Sequence, residues 1–187
     1  DLVICVGYDM VEYHPSAWHP DCDKKIIHID PVYAEVDEHY ILEVGVIGDI
    51  AKALPAIAKV ATPQIGSPAG GLRGVIVDEF NEMSADNSYP LKPQRILADV
   101  RKALGAEDIL LSDVGAHKLW IARMYQAEAP NTCIISNGFA SMGIALPGSI
   151  AAKLVHPERV VMSINGDAGF MMNSQEMETA VRLKMNI

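Results

Sequence analysis

The stretch from Val160 to Thr179 constrains this chain more than any other. Val160, Val161, Met162 and Ile164 form a short apolar run that reads as a buried strand, Gly166-Asp167-Ala168-Gly169 forces a tight turn, and Met177, Ala180 and Val181 recur at helical spacing. The order is strand, turn, helix. Such a turn places small residues and free backbone N–H groups at a helix start, where partial positive charge suits a phosphate. A carboxylate there has two readings. Beside a diphosphate, Asp167 would be repelled unless a divalent cation lay between them, which makes it an oxygen ligand to Mg2+. With no phosphate nearby, an Asp in a turn before a helix is equally a capping residue.

The rest of the chain repeats the same grammar. Leu2 to Gly7, Lys25 to Asp30 and Glu43 to Gly48 read as strands of a parallel sheet covered on both faces. Between the first two, Tyr8 to Asp23 is rich in Tyr, His, Trp, Pro and Asp, as suits a loop at a strand's carboxyl end, where open α/β sheets bind ligands. Asp49 is an N-cap for a helix carrying Ile50, Leu54, Ile57, Ala58 and Ala61, with a kink or break expected at Pro55. From Thr62 to Pro93 the composition shifts: Pro63, Gly66, Pro68, Gly70, Gly71 and Gly74 cluster early, and Asp86, Asn87, Ser88, Pro90 and Pro93 late. This reads as a linker with one isolated helix through Leu72, Val75, Ile76, Phe80 and Met83.

A second α/β unit follows. Pro93 opens a helix with Ile96, Leu97, Val100 and Leu104 on one face, stopped by Gly105. Ile109 to Gly115 is a strand, Leu119 to Tyr125 a helix, Thr132 to Ser136 a strand, and a small-residue helix then runs through Leu154 to Pro157. The fold class is α/β: parallel sheets with helices on both faces, in two incomplete doubly wound domains joined by a linker, over residues 1–61, 62–93 and 94–187. The chain opens at Asp1 inside a strand-like run and ends at Ile187, where Asn186-Ile187 read as entry into another strand, so a fragment is expected.

Composition excludes several functions. The net charge of -9 and the lack of a basic, aromatic-interleaved patch disfavour nucleic acid, and no apolar run spans a bilayer, so neither partner is expected. Cys5, Cys22 and Cys133 contain no CxxC pair, which implies neither a disulfide framework nor a zinc site and fits the cytoplasm. P-loop, GxSxG, HExxH and GxGxxG signatures are missing. His14, His19, His28, His39 and His156 lack metal-ligand spacing and read as surface or loop residues. The nine methionines read mainly as core filler, with Met142 placed to press against a flat cofactor.

Three strand-to-helix junctions hold the unusual residues: Asp113-Val114-Gly115-Ala116-His117, Asn137-Gly138 to Met142-Gly143, and Asn165-Gly166-Asp167-Ala168-Gly169. In a parallel sheet all three lie on one carboxyl edge and can converge on one ligand. At these residues the chain resembles the acetolactate synthase group of thiamine-diphosphate enzymes, over essentially its whole length. Gly166-Asp167-Ala168, with Gly169 beside it, resembles the start of the family's cofactor motif, which implies Asp167 as the Mg2+ ligand and neighbouring backbone on the diphosphate. Val114-Gly115-Ala116-His117 followed by Trp120 is similar to the family's diphosphate-side loop. Met142 stands where the family has the apolar residue that bends the cofactor, Ala140 lies on the aminopyrimidine side, and the resemblance implies Gly138 as a further cofactor-binding residue. Glu176 to Lys184 continues the family's helix after the motif.

The resemblance implies an enzyme that decarboxylates pyruvate and joins the two-carbon unit to a second pyruvate, giving 2-acetolactate for branched-chain amino acid or acetoin metabolism. It implies thiamine diphosphate and Mg2+ as cofactors and a homodimer or homotetramer. It also places the cofactor-activating glutamate in an N-terminal domain of another subunit, and an asparagine metal ligand beyond Ile187, so no catalytic residue falls within the chain and the chain alone is expected to be inactive. Biosynthetic members carry a Gly-x-Arg-Phe-Asp-Asp-Arg-like segment at an FAD site. Gly7-Tyr8-Asp9-Met10-Val11-Glu12-Tyr13 instead resembles the catabolic members, and an acidic segment is a poor neighbour for a flavin diphosphate, so FAD is not expected. The rivals are another carboligase of glyoxylate carboligase or sulfoacetaldehyde acetyltransferase type, and a non-catalytic α/β binding module.

Overall fold

The computed structural model describes residues 2–10, 13–62 and 69–187. Val11 and Glu12 of the Gly7 segment, and Pro63, Gly66 and Pro68 of the linker, lie outside the described residues. The chain gathers into two compact units, Asp1–Ser67 and Pro68–Ile187.

In the first unit, β1 (Leu2–Val6), β2 (Lys25–Asp30) and β3 (Leu42–Ile47) form a parallel sheet in the order β1-β2-β3, with the short α1 (Pro15–Trp18) in the loop after β1 and α2 (Ile50–Val60) after β3. Register sets Cys5 beside His28 and Val3 beside Ile26. Strand side chains alternate, so these residues share one face, and Tyr8, Trp18 and Tyr40 pack against it. Leu2, Ile4 and Val6 point the other way and stand 41–51% exposed. Asp49 caps α2 as expected, its Oδ1 accepting from the Ala51 N–H at 2.8 Å. The helix runs unbroken through Pro55, whose ring removes only one backbone donor from the eleven-residue helix.

Two histidines expected as surface or loop residues are buried, His28 in β2 and His19 in the loop after α1. His28 is only 4% exposed because the strand period turns it inward, where its Nδ1 pairs with the Tyr40 hydroxyl at 2.7 Å. His19 accepts from the Lys24 N–H at Nε2, which leaves Nδ1–H to donate to the His39 carbonyl at 2.8 Å. Tyr40 is fully buried, and desolvation, reinforced by Cys5, holds its phenol far above the usual tyrosine range. An unfolded tyrosine ionises near pH 10, so the folded unit keeps this contribution below about pH 10 and loses it as pH rises further. Tyr40→Phe is therefore expected to flatten the alkaline fall in stability. Because it leaves His28 Nδ1 without its partner, it should also cost about 1–3 kcal/mol at neutral pH, as read by urea unfolding across pH.

The second unit contains α3 (Ala69–Ser84), α4 (Pro93–Ala103), β4 (Ile109–Ser112), α5 (Ala116–Met124), β5 (Cys133–Ile135), α6 (Ala145–Val155), β6 (Val161–Ile164), α7 (Asp167–Asn173) and α8 (Glu176–Arg182). Its sheet is parallel in the order β5-β4-β6. Helices cover both faces. Leu110 packs with Leu97, Leu104, Ile121 and Met124 of the α4–α5 layer, whereas Ile109 and Leu111 turn to Ala145 and Ala152 of α6. The expected helix through Leu72–Met83 forms as α3 but is not isolated: it lies against α4, and Phe80 reaches the Leu110 core. Gly71 and Gly74 of α3 would meet nothing within 4 Å if given a Cβ. Glycine inside a helix costs about 0.5–1 kcal/mol relative to alanine, so Gly71→Ala with Gly74→Ala should stabilise this unit by about 1–2 kcal/mol in urea unfolding. Among the described residues no helix is long and apolar enough to cross a membrane.

Candidate functional site

The three junctions leave the carboxyl ends of β4, β5 and β6, and the parallel register puts them on one edge of the sheet. Asp113 joins them. It follows the wholly buried strand Ile109–Ser112 and is itself fully buried. Its Oδ1 accepts from the Val114 N–H at 2.7 Å and from the Gly143 N–H at 2.8 Å. Its Oδ2 faces Gly169, where an added Cβ would stand 2.4 Å away. Gly143, at φ +87, donates through its N–H to Asp113 and accepts through its carbonyl from Asn173 Nδ2 at 2.8 Å. One carboxylate and one carboxamide thus tie the β4 end, the loop after β5 and α7 together.

His117, in the first turn of α5, lies between the first and third junctions. Its Cε1 comes 3.0 Å from the position a Cβ would take on Gly115 and 3.4 Å from that on Gly166. Three buried polar atoms at this edge have no hydrogen-bond partner among the described residues: Asp113 Oδ2, His117 Nε2 and Asn165 Oδ1. Unpaired buried polar atoms are costly, and three at one sheet edge fit a site completed by a polar ligand. Asp167 opens α7 with an exposed side chain whose Oδ1 accepts from the Ala168 N–H at 2.8 Å. No three His, Cys, Asp or Glu side chains among the described residues gather to hold a metal.

The structure therefore brings together Val114, Gly115, His117, Gly166, Asp167, Ala168 and Gly169, with Ala116 exposed at the start of α5. On the second junction Ala140 takes a left-handed φ of +47 and Met142 stands 42% exposed. Gly138 has nothing within 4 Å of an added Cβ, and Phe139 beside it is fully exposed. Asp113 and Asn173 were not among the expected site residues. A signal for Asp113 existed: a carboxylate following the apolar run Ile109-Leu110-Leu111 and Ser112 is rarely exposed and rarely idle. Asn173 gave none, standing after Met171 and Met172 like any polar helix residue.

Residues 113–187 match the family described as "Thiamine pyrophosphate enzyme, C-terminal TPP binding domain", and residues 1–57 match "Thiamine pyrophosphate enzyme, central domain". The acetolactate synthase of Bacillus subtilis is 35% identical over 192 residues, covering 100% of this chain and 34% of its own length. The catabolic acetolactate synthase of Raoultella terrigena is 35% identical over 200 residues, again covering 100% of this chain and 34% of its own length. The acetolactate synthase large subunit of Corynebacterium glutamicum is 31% identical over 192 residues, with 96% of this chain and 30% of its own length covered. The chain spans about a third of the length of the relatives it matches. Two successive domains of one enzyme family, matched in order and backed by similarity to acetolactate synthases over the whole of this chain, show that this chain belongs to the thiamine pyrophosphate enzymes.

Proposed function

We propose that this chain is part of an acetolactate synthase of the catabolic, FAD-independent type, which uses thiamine diphosphate and Mg2+ to condense two molecules of pyruvate into 2-acetolactate. Residues 1–61 are read as the end of the central domain, 62–93 as the connection and 94–187 as the first half of the cofactor domain. The observation that carries the proposal is the set of unpaired buried atoms on Asp113, His117 and Asn165 beside the Asp167 turn. These unpaired atoms fit a polar, metal-bound ligand.

Bound thiamine diphosphate supplies a nucleophilic carbon and an electron sink, which decarboxylation and carboligation require. The protein's own residues hold and orient. Asp167 would ligate Mg2+ through the oxygen not engaged with Ala168, and the backbone of Gly166, Ala168 and Gly169 would flank the diphosphate. His117, with Val114, Gly115 and Ala116, would meet the phosphates from the first junction. Gly138, Ala140 and Met142 would bound the organic rings, Met142 setting their bend. The Mg2+ assignment also explains an acid at a phosphate site, which a capping role leaves unexplained.

The cavity of about 450 Å³ at the carboxyl ends of β1 and β2 supports the FAD-free subtype. Asp9, Asp30 and Glu35 line it with tyrosines and His28, and no Lys or Arg among the described residues does. Such a lining repels a nucleotide diphosphate. Met171, Met172, Met177 and Val181 are 50–76% exposed on α7 and α8, where core packing was expected, and support a homodimer or homotetramer through this region. The apolar strand face of Leu2, Ile4 and Val6 supports reading the chain as part of a larger protein rather than as a free-standing binding module. Cys5, Cys22 and Cys133 are all free, which supports a reducing, cytoplasmic setting.

The test is product analysis with the full-length enzyme. Pyruvate alone should give 2-acetolactate and CO2, with activity lost on chelation and restored by Mg2+ plus thiamine diphosphate. Turnover of glyoxylate or sulfoacetaldehyde in place of pyruvate would transfer the assignment to another carboligase.

A further inference from the structure

We propose that Asp113 and Asn173 are positioning residues that clamp Gly143 from two sides, and that this clamp holds Met142 and Asp167 in one fixed geometry. Its bearing on cofactor binding rests on the reading above; the clamp itself does not.

Gly143 is buried and has both backbone polar groups held by side chains from other elements: N–H by Asp113 at the end of β4, and C=O by Asn173 at the end of α7. Each bond spans thirty residues of sequence. Local loop geometry therefore does not explain them; both join separate elements. Met142 is the next residue along the loop. On the other side, α7 is pinned at two points, by packing of Gly169 on the Asp113 carboxylate and by the Asn173 carboxamide, and Asp167 lies two residues before the first. A shift of the loop against α7 would therefore have to break a buried charge-assisted hydrogen bond, a carboxamide bond, or both. An exposed loop end that moved freely would leave Met142 and Asp167 uncoupled. Misplacement by about 1 Å between groups that share a ligand costs on the order of 100-fold in rate, which gives such a clamp a function beyond stability.

The experiment uses the full-length enzyme with Asn173→Asp, which keeps shape, removes the donor and sets a charged acceptor against the Gly143 carbonyl, and Asp113→Asn, which keeps an acceptor for Val114 and Gly143. Hydrogen exchange of the 137–144 segment is measured without cofactor, and affinity for thiamine diphosphate with Mg2+ by calorimetry. Asn173→Asp should speed exchange of the segment about 10-fold, weaken cofactor affinity about 10-fold and, at saturating cofactor, lower kcat while leaving KM for pyruvate within about two-fold. Asp113→Asn should keep exchange close to wild type. Unchanged exchange in Asn173→Asp overturns the clamp whatever the enzyme does. Faster exchange with unchanged affinity and kcat overturns its bearing on the site. Failure of the wild-type enzyme to bind thiamine diphosphate strikes the functional reading, and with it that bearing, while exchange alone decides whether the clamp exists.

Discussion

Asp167→Ala in the full-length enzyme is expected to weaken Mg2+-dependent binding of thiamine diphosphate by at least about 100-fold and to remove pyruvate turnover. Residues that merely orient a metal ligand typically cost 10–100-fold when lost, so a direct ligand should sit at or beyond the top of that range. Two competing effects point in different directions and can be separated. Asp167 is exposed and its one hydrogen bond among the described residues is to the adjacent Ala168 N–H, so the stability cost is that of a first-turn carboxylate, about 1 kcal/mol. A capping role predicts this small loss and no change in metal dependence. A ligand role predicts the small loss together with collapse of metal-dependent binding. Calorimetric titration with and without Mg2+, set beside urea unfolding of the apoprotein, distinguishes them. Retention of metal-dependent affinity within about ten-fold would leave Asp167 a turn residue.

Most of the fold was legible because its signals are local. The strands β1 to β6 are short apolar runs closed by glycine or a polar residue, and the helices α2 and α4 announce themselves with Asp49 and Pro93. Legibility failed where tertiary packing decides. At α7 the sequence shows Gly169 and two adjacent methionines with no helical period, yet a seven-residue helix forms because Asp113, Gly143 and Asn173 hold it to the sheet edge. His28 reads as a loop or surface histidine by type, and only the register of β2 turns it to Tyr40. The methionines divide: Met124 is core and Met10 and Met162 pack against the cores, but Met142, Met171, Met172 and Met177 are exposed. The three junctions were legible as a set, since parallel strands oblige their carboxyl ends to share an edge. The network that joins them was not, because Asp113 to Gly143 and Asn173 to Gly143 are pairings between residues thirty positions apart that no local spacing encodes.

Gly169→Ala sets two magnitudes against each other. Gly169 lies inside α7, and replacing a helical glycine by alanine ordinarily stabilises by about 0.5–1 kcal/mol, as expected for Gly71 and Gly74. Here the new methyl carbon would stand 2.4 Å from Asp113 Oδ2 and 3.0 Å from its Cγ, both belonging to a fully buried side chain already fixed by two backbone N–H groups. Neither side can yield without breaking those bonds or moving α7. Overpacking in a closed interior costs about 1–3 kcal/mol, and displacement of a hydrogen-bonded buried carboxylate adds to it, so the clash wins. The variant should lose about 2–3 kcal/mol and bind thiamine diphosphate poorly through displacement of Asp167. A double mutant identifies the cause. Asp113→Ala with Gly169→Ala removes the obstacle, so the pair should be little worse than Asp113→Ala alone, a coupling of about 2 kcal/mol. Additive losses in urea unfolding would show that Gly169 is required for some reason other than its contact with Asp113.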